Sequence, residues 1–218
     1  MIIAIDGPSG SGKSTLGRML ARALKLLYID TGSMYRAVAL AVINAQVDPS
    51  DKEAVTALAD RIEIDLEGDP ESLSVLLNGR DITNQIRTES VTDMSSIVST
   101  IPGVRRAMVE RQRAMSKRGA VLNGRDIGSV VFPDADVKFF LTAAPEERAE
   151  RRYKEEHMTG ASPTTYAETL ADMNERDRRD STRVDSPLKV ADDAIVIDST
   201  RKSIEQVFEE MLERINHG

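Results

Sequence analysis

The sequence predicts an α/β fold in which a parallel sheet is covered by helices on both faces. Three observations predict it. Short apolar runs bounded by turn residues recur along the chain, and segments of helical periodicity lie between them. The first run, Ile2–Asp6, is rich in β-branched residues, as a strand buried on both faces requires. That run leads through a glycine-rich loop directly into a helical segment, the local order of a βα phosphate-binding unit.

The elements follow in order. Ile2–Asp6 reads as a strand ended by Gly7, and Ser14–Ala23 as a helix with Leu16, Met19, Leu20 and Leu24 at helical spacing. Leu27–Ile29 reads as a second strand closed by Asp30–Gly32. Met34–Ala45 is expected to be a helix that buries Tyr35, Val38, Leu40 and Val42. Ile62–Leu66 and Leu73–Leu77, separated by "EGDPES", predict a small antiparallel hairpin, with "NGRDIT" turning the chain again. Residues at about 60–90 are therefore expected to lie outside the parallel sheet. Ala120–Leu122, Val137–Leu141 and Ala194–Ile197 are further strands. Pro145–Glu155, Thr164–Arg178 and Ile204–Ile215 are helices between and after them. The letters N-G-R-D occur at 78–81 and at 123–126 with unmatched flanks, which is coincidence or turn chemistry rather than a repeat.

With 218 residues the chain suits one domain, 1–218, carrying an insertion. The 29 Lys and Arg against 36 Asp and Glu leave a net charge of −7, which argues against a bulk nucleic-acid binder. No cysteine is present, so disulfide frameworks and thiolate metal sites are excluded and a reducing compartment fits. No apolar run approaches a membrane span, and Ile2–Ile5 is too short for a signal peptide. A cytoplasmic protein without membrane partners is expected.

The glycine-rich loop carries the sharpest chemistry. Gly7-Pro8-Ser9-Gly10-Ser11-Gly12-Lys13-Ser14 satisfies G-x-x-x-x-G-K-[ST] at every fixed position, between a strand and a helix. Consecutive backbone N–H groups must curl around a phosphate, and glycines permit the angles and the close approach. The helix start adds unpaired donors and a positive dipole end. Lys13 can reach the β- and γ-phosphates, and the Ser14 hydroxyl can ligate Mg²⁺. The loop, through Thr15, is read as the ATP site of a P-loop NTPase fold.

The motif alone does not choose among switches, motors, kinases and nucleotide sensors. No guanine-reading N-K-x-D stretch is present. Arginines stand instead at separate places that the topology would bring to one sheet edge. "DTGSMYR" puts Thr31 and Arg36 after the second strand, and "GRDIGS" puts Arg125 and Asp126 after the third. "ERAERRYKEE" and "NERDRRDSTR" are arginine-dense helices. Most of their charges read as a solvated face, and some as partners for transferred oxygens.

These segments, "IDGPSGSGKST", "DTGSMYR", "GRDIGSVVFPDA", "ERDRRDSTR" and the late "IDST", together resemble the bacterial cytidylate kinase family over essentially the whole chain. The resemblance implies a nucleoside-monophosphate-kinase variant of the P-loop fold, with a five-stranded parallel core and a monophosphate-binding β insertion. It also implies a short lid at about 148–164 with its tip around His157–Ser162. It implies transfer of the γ-phosphate of ATP to CMP or dCMP with Mg²⁺, in pyrimidine nucleotide metabolism, by a protein expected to act as a monomer. Lys13 and Ser14 fall in the ATP·Mg²⁺ site, and Thr31, Arg36 and Arg125 on the monophosphate side. Ser96, Arg105 and Asp126 match the cytosine-reading set, Arg176 and Asp180 the sugar-contacting pair with Arg183 near them. Arg148 and Arg152 match arginines at the start of the lid helix, and with Lys13, Arg36 and Arg125 they form the expected catalytic set. Thr31 and Ser129 replace a common Ser and a common Thr, each keeping the hydroxyl. Competing readings are a kinase of uridylate or of a hydroxyl acceptor on the same fold, or a catalytically idle nucleotide-binding regulator.

Overall fold

A computed structural model describes residues 1–159 and 164–217. The chain begins with β1 (Ile2–Asp6), α1 (Lys13–Leu24), β2 (Leu27–Asp30), α2 (Thr31–Asn44) and α3 (Lys52–Arg61). It continues through β3 (Ile64–Glu67), β4 (Ser74–Leu77), β5 (Arg80–Asp81), α4 (Glu89–Val98) and α5 (Pro102–Met115). The last part comprises β6 (Ala120–Gly124), β7 (Val137–Thr142), α6 (Pro145–Thr159), α7 (Tyr166–Thr182), β8 (Ile195–Asp198) and α8 (Ile204–His217).

Five strands form one parallel sheet in the order β2-β6-β1-β7-β8. Because β1 has β6 on one side and β7 on the other, its carboxyl end is the point where the strand order reverses. Ligands of open α/β sheets bind at such a point. The period of two sorts the side chains. Ile3 and Ile5 of β1 pack with Leu16, Leu20, Val207 and Met211 of α1 and α8. Ala4, Ile29 and Leu122 pack on the opposite face with Val38, Val98 and Met108 of α2, α4 and α5. Both faces are dry, which is why the strands read as unbroken apolar runs.

The expected insertion is present as a separate three-stranded antiparallel sheet, β3-β4-β5. Asn78 and Gly79 both take positive φ (49° and 74°), which matches the two-residue turn joining β4 to β5. The second N-G-R-D does different work: Asn123 and Gly124 end β6, and no hairpin follows.

Two differences from the sequence reading have physical reasons. Helix α2 starts at Thr31 rather than Met34, because the Asp30-Thr31-Gly32 stretch that reads as a turn supplies its first turn. Helices α3, α4 and α5, left unassigned by periodicity, carry mostly small or sparse apolar residues on their buried faces, such as Val55 and Ala59 or Val104, Ala107 and Met108. Their ends are marked chemically: Asp51 accepts from Ala54 N at 2.9 Å, and Pro102 opens α5. Arg111 of α5 donates to the carbonyls of Ala59, Asp60 and Ile62, closing the end of α3.

Candidate active site

The phosphate loop leaves β1 at Gly7, where φ is 146° and an added Cβ would lie 2.1 Å from the Leu141 carbonyl oxygen. No side chain fits there. Gly10 (φ 71°) is equally constrained, its missing Cβ lying 2.9 Å from the Arg148 carbonyl oxygen. The loop is braced from behind. Ser9 N donates to Asp177 Oδ1 at 3.3 Å, and the Ser9 carbonyl accepts from Arg148 at 2.9 Å. The Lys13 ammonium donates to the Pro8 carbonyl at 2.6 Å and to Ser11 Oγ at 3.4 Å. Burial, then the charge of Arg125, pushes its pKa well down.

A cleft of about 1220 Å³ opens in front of this loop. Ser9 to Thr15 form its donor wall; Gly7 and Pro8 lie behind. Thr31, Arg36, Ser96, Arg105, Arg125, Asp126, Arg152, Arg176, Asp180 and Arg183 all line the same space. The topology that brings them together is simple. Thr31 and Arg36 ride the first turns of α2 behind β2, Arg125 and Asp126 follow β6, and Arg176, Asp180 and Arg183 recur at helical spacing along one side of α7 and its end.

The acceptor side is arginine-rich and only partly neutralised. Arg125 Nε donates to Asp180 at 2.7 Å, and Arg36 lies 3.3 Å from Asp30 and 3.0 Å from Ser33 Oγ. Arg176 has no hydrogen-bonded or ion-paired partner among the described residues, and burial, then the charge of Arg125, brings its pKa down to about 10. Burial pulls Asp180 up, but Arg125, Arg176 and Arg183 outweigh it and hold the carboxyl below its ordinary value. Deeper in the cleft, Arg105 bonds to Asp126 and reaches the Ser99 carbonyl at 3.2 Å, while Arg183 lies 3.6 Å from the other Asp126 oxygen. Arg105 also stands over the Tyr35 ring, 5.8 Å from its centroid. Burial raises the Asp126 pKa against the pull of both arginines. Ser96 reaches the cleft from α4, its hydroxyl donating to the Thr92 carbonyl at 3.4 Å.

Three of the expected site residues have distinctive surroundings. Arg148 does not line the cleft. It is 5% exposed and spent on the Ala143 carbonyl, the Ser9 carbonyl and Asp177, at 3.0, 2.9 and 2.6 Å. Its helical neighbour Arg151 lines the cleft instead, held by two bonds to Ser199 at 3.1 and 2.7 Å. The Thr31 hydroxyl is already committed, donating to the Asn123 carbonyl at 2.7 Å. Lys13 does not project into open solvent but folds back on its own loop. Of the expected lid, α6 is seen through Thr159, and of the tip expected around His157–Ser162, residues 160–162 lie outside the described residues.

Sequence reasoning missed Arg151, Asp30, Tyr35 and Asn123. Asn123 Nδ2 donates to Ser14 Oγ at 3.0 Å, and its own Oδ1 is buried with no partner among the described residues. Ser14 itself is exposed on the cleft. A hydroxyl that accepts from a neutral amide and keeps an oxygen lone pair toward the cleft fits a hydrated divalent cation carried in by a nucleotide. Among the described residues no group of three or more His, Cys, Asp and Glu could hold a metal of its own.

Comparison with known proteins agrees with the motifs. Residues 3–217 match the family model described as cytidylate kinase. The chain is 49% identical over 212 residues to the cytidylate kinase of Citrifermentans bemidjiense, covering 97% of this chain and 91% of that one. It is likewise 49% identical over 224 residues to the cytidylate kinase of Solibacter usitatus, covering 100% and 95%. Among solved structures, an uncharacterized protein from Eubacterium ventriosum shares the fold with a TM-score of 0.54 at 12% identity, covering 100% of this chain and 99% of that one.

Proposed function

Because the chain belongs to the cytidylate kinase family, we propose that the cleft transfers the γ-phosphate of ATP to CMP or dCMP, giving ADP and CDP or dCDP. The phosphate loop from Gly7 to Thr15 takes the triphosphate. Arg36 and Arg125, with Thr31 beside them, take the acceptor phosphate. Ser96, Arg105 and Asp126 read the base, and Arg176, Asp180 and Arg183 hold the sugar side. Arg152, joined by Arg151 rather than Arg148, closes over the transferred group from the lid helix.

The observation that carries this reading is the excess of guanidinium groups opposite the phosphate loop, with Arg176 making no ion pair among the described residues. A phosphate acceptor supplies the missing anion. A hydroxyl acceptor would instead call for a carboxylate base, and the carboxylates beside these arginines, Asp30, Asp126 and Asp180, are each already engaged by arginine. No side-chain nucleophile is needed. An oxygen of the CMP phosphate attacks the γ-phosphorus as the bond to the β-bridging oxygen breaks, so the protein aligns the two nucleotides, neutralises charge and keeps water out. Ser14 would hold Mg²⁺, with the unpartnered Asn123 oxygen behind it, and when bound the cation offsets the charge of the β- and γ-phosphates.

Action as a monomer is proposed together with this reading. Among the described residues no helix is long and apolar enough to cross a membrane, and a cytoplasmic site of action is in keeping with nucleotide substrates. The test is a coupled ADP-release assay with ATP, Mg²⁺ and CMP, dCMP, UMP or no acceptor. CMP and dCMP are expected to turn over well ahead of UMP. ADP release that is independent of any monophosphate would overturn the reading.

A further inference from the structure

Asp6 is 5% exposed and does not line the cleft, yet both of its carboxylate oxygens are spent on one short segment. Oδ1 accepts from Ile127 N at 2.8 Å, and Oδ2 accepts from Gly128 N at 2.7 Å. These two residues come directly after Arg125 and Asp126. They begin a wide turn, Ile127–Val131, in which the chain leaves the sheet. The backbones of Asp6 and Gly124 face each other as the last pair of the β1–β6 ladder. The carboxylate therefore reaches past the final rung and holds the chain where the ladder no longer can. In the other direction Asp6 runs straight into Gly7 and the phosphate loop.

We infer that Asp6 is a positioning residue for phosphoryl transfer: its carboxylate fixes Arg125 and Asp126 relative to the phosphate loop on the opposite wall. The inference rests on the assignment of Arg125 and Asp126 to the bound monophosphate. An ionised carboxylate is suited to the task because each oxygen takes one N–H in a charge-assisted bond. An amide has one oxygen, so one of the two buried N–H groups would face another donor. Misplacing reacting groups by about 1 Å can cost roughly a hundredfold in rate. The charged groups that face Asp6 are Lys13 from α1 and Asp126 from the turn it holds. Burial raises its pKa to about 6, the two N–H bonds and Lys13 opposing and Asp126 adding. In mildly acid solution the protonated carboxyl gives up acceptor capacity as the amide does.

The test is Asp6→Asn, assayed with CMP varied at saturating ATP and by the Kd of an ATP analogue. The KM for CMP should rise at least tenfold while the Kd of the analogue moves less than threefold. The kcat/KM for CMP of the unaltered protein should fall below about pH 6 through two ionisations, Asp6 and the phosphate of CMP itself. The variant should keep only the second. Equal losses for both nucleotides, no loss, or a variant that retains the full acid limb would overturn the inference. Should Asp6→Asn fail to fold, Asp6→Glu keeps the charge but displaces the turn by a methylene, and the same split between the nucleotides is expected. Absence of CMP turnover in the unaltered protein is a failure of the functional reading, seen before any variant is made. In that event amide exchange at Ile127 and Gly128 in the variant still decides the matter, with faster exchange there than in β7 expected and unchanged exchange overturning it.

Discussion

Arg148 donates to the carbonyl oxygen of Ser9 at 2.9 Å, so the helix that would form the lid and the loop that would hold ATP share one buried guanidinium. The same group meets Asp177 at 2.6 Å, and Asp177 in turn accepts from Ser9 N. Loop, α6 and α7 are thus clamped together behind the cleft. Arg148→Ala leaves Asp177 without its counter-charge and the Ser9 carbonyl without its donor. Breaking a buried pair of this kind costs about 3 kcal/mol, or a fall of roughly 10 °C in Tm for a chain of this size. A thermal melt with and without an ATP analogue checks it: Tm and analogue affinity should fall together. A large loss of kcat with Tm unchanged would return Arg148 to the chemistry.

Arg36 and Arg125 make a different prediction, because both line the cleft and each is ion-paired to a single carboxylate among the described residues, Asp30 and Asp180 respectively. Replacing either by Met removes a charge-assisted partner of the acceptor phosphate and leaves the donor wall intact. The KM for CMP should rise roughly tenfold or more, with the Kd of an ATP analogue within about twofold. Collapse of analogue binding with CMP binding preserved would put both arginines on the wrong side.

How far the sequence carried this site can be seen in the two N-G-R-D stretches. Local chemistry makes both of them turns, and no local feature distinguishes Asn78-Gly79, which closes a hairpin, from Asn123, whose amide reaches Ser14 at the start of α1. The phosphate loop was legible because its function is written in consecutive residues. The placement of Arg36 and Arg125 in one cleft was legible because parallel strands bring their carboxyl ends to one edge, and that of Asp180, on α7, only through the family resemblance. The exchange of Arg148 for Arg151 was not, since both lie on one arginine-dense helix. Which of them faces the cleft depends on how α6 rotates against α7. Helices α3 to α5 escaped notice because small residues such as Ala59 and Ala107 bury a face without a strong apolar period.

Asp126 makes the prediction about base choice. Cytosine presents an exocyclic amine donor where uracil presents an acceptor, so an ionised carboxylate favours the first and opposes the second. In Asp126→Asn the amide can also donate to uracil O4, and the ratio of kcat/KM for CMP over UMP should narrow at least tenfold, mainly through lost CMP activity. Arg105 and Arg183 lose their shared counter-ion in the same variant, so Tm should drop as well. An unaltered ratio would leave Asp126 as a holder of the two arginines and nothing more.

Asp6 makes a prediction about stability and pH. Its carboxyl pKa is raised in the folded protein, from an ordinary 3.8 to about 6. The folded state therefore binds the proton more tightly than the unfolded chain. The stabilising contribution is full below about pH 4 and is lost as pH rises through about 6, in all roughly 3 kcal/mol. Chemical denaturation of the unaltered protein and of Asp6→Asn at pH 5 and at pH 7.5 isolates this group. The stability difference should favour the unaltered protein more at pH 5 than at pH 7.5. A difference that is flat, or that grows with pH, contradicts a raised pKa.

Lys13 reverses the usual cost of removing a side-chain bond. The residue is 6% exposed, and its ammonium donates to the Pro8 carbonyl at 2.6 Å and has its pKa pushed well down by burial and by Arg125. In the empty cleft that charge is held in a poor environment, and the incoming triphosphate supplies the counter-charge it lacks. Lys13→Met keeps most of the buried stem and removes only the charge. The Pro8 carbonyl is not orphaned, because Ser11 Oγ also donates to it at 3.0 Å. The variant should then melt at or slightly above the temperature of the unaltered protein, while kcat at saturating ATP falls by roughly a thousandfold, as when a group that stabilises transition-state charge is removed. An ATP analogue should raise the Tm of the unaltered protein more than that of the variant. A variant that turns over at a near-normal rate removes Lys13 from the transfer step. One that loses several degrees of Tm without nucleotide shows instead that the ammonium is a brace of the loop.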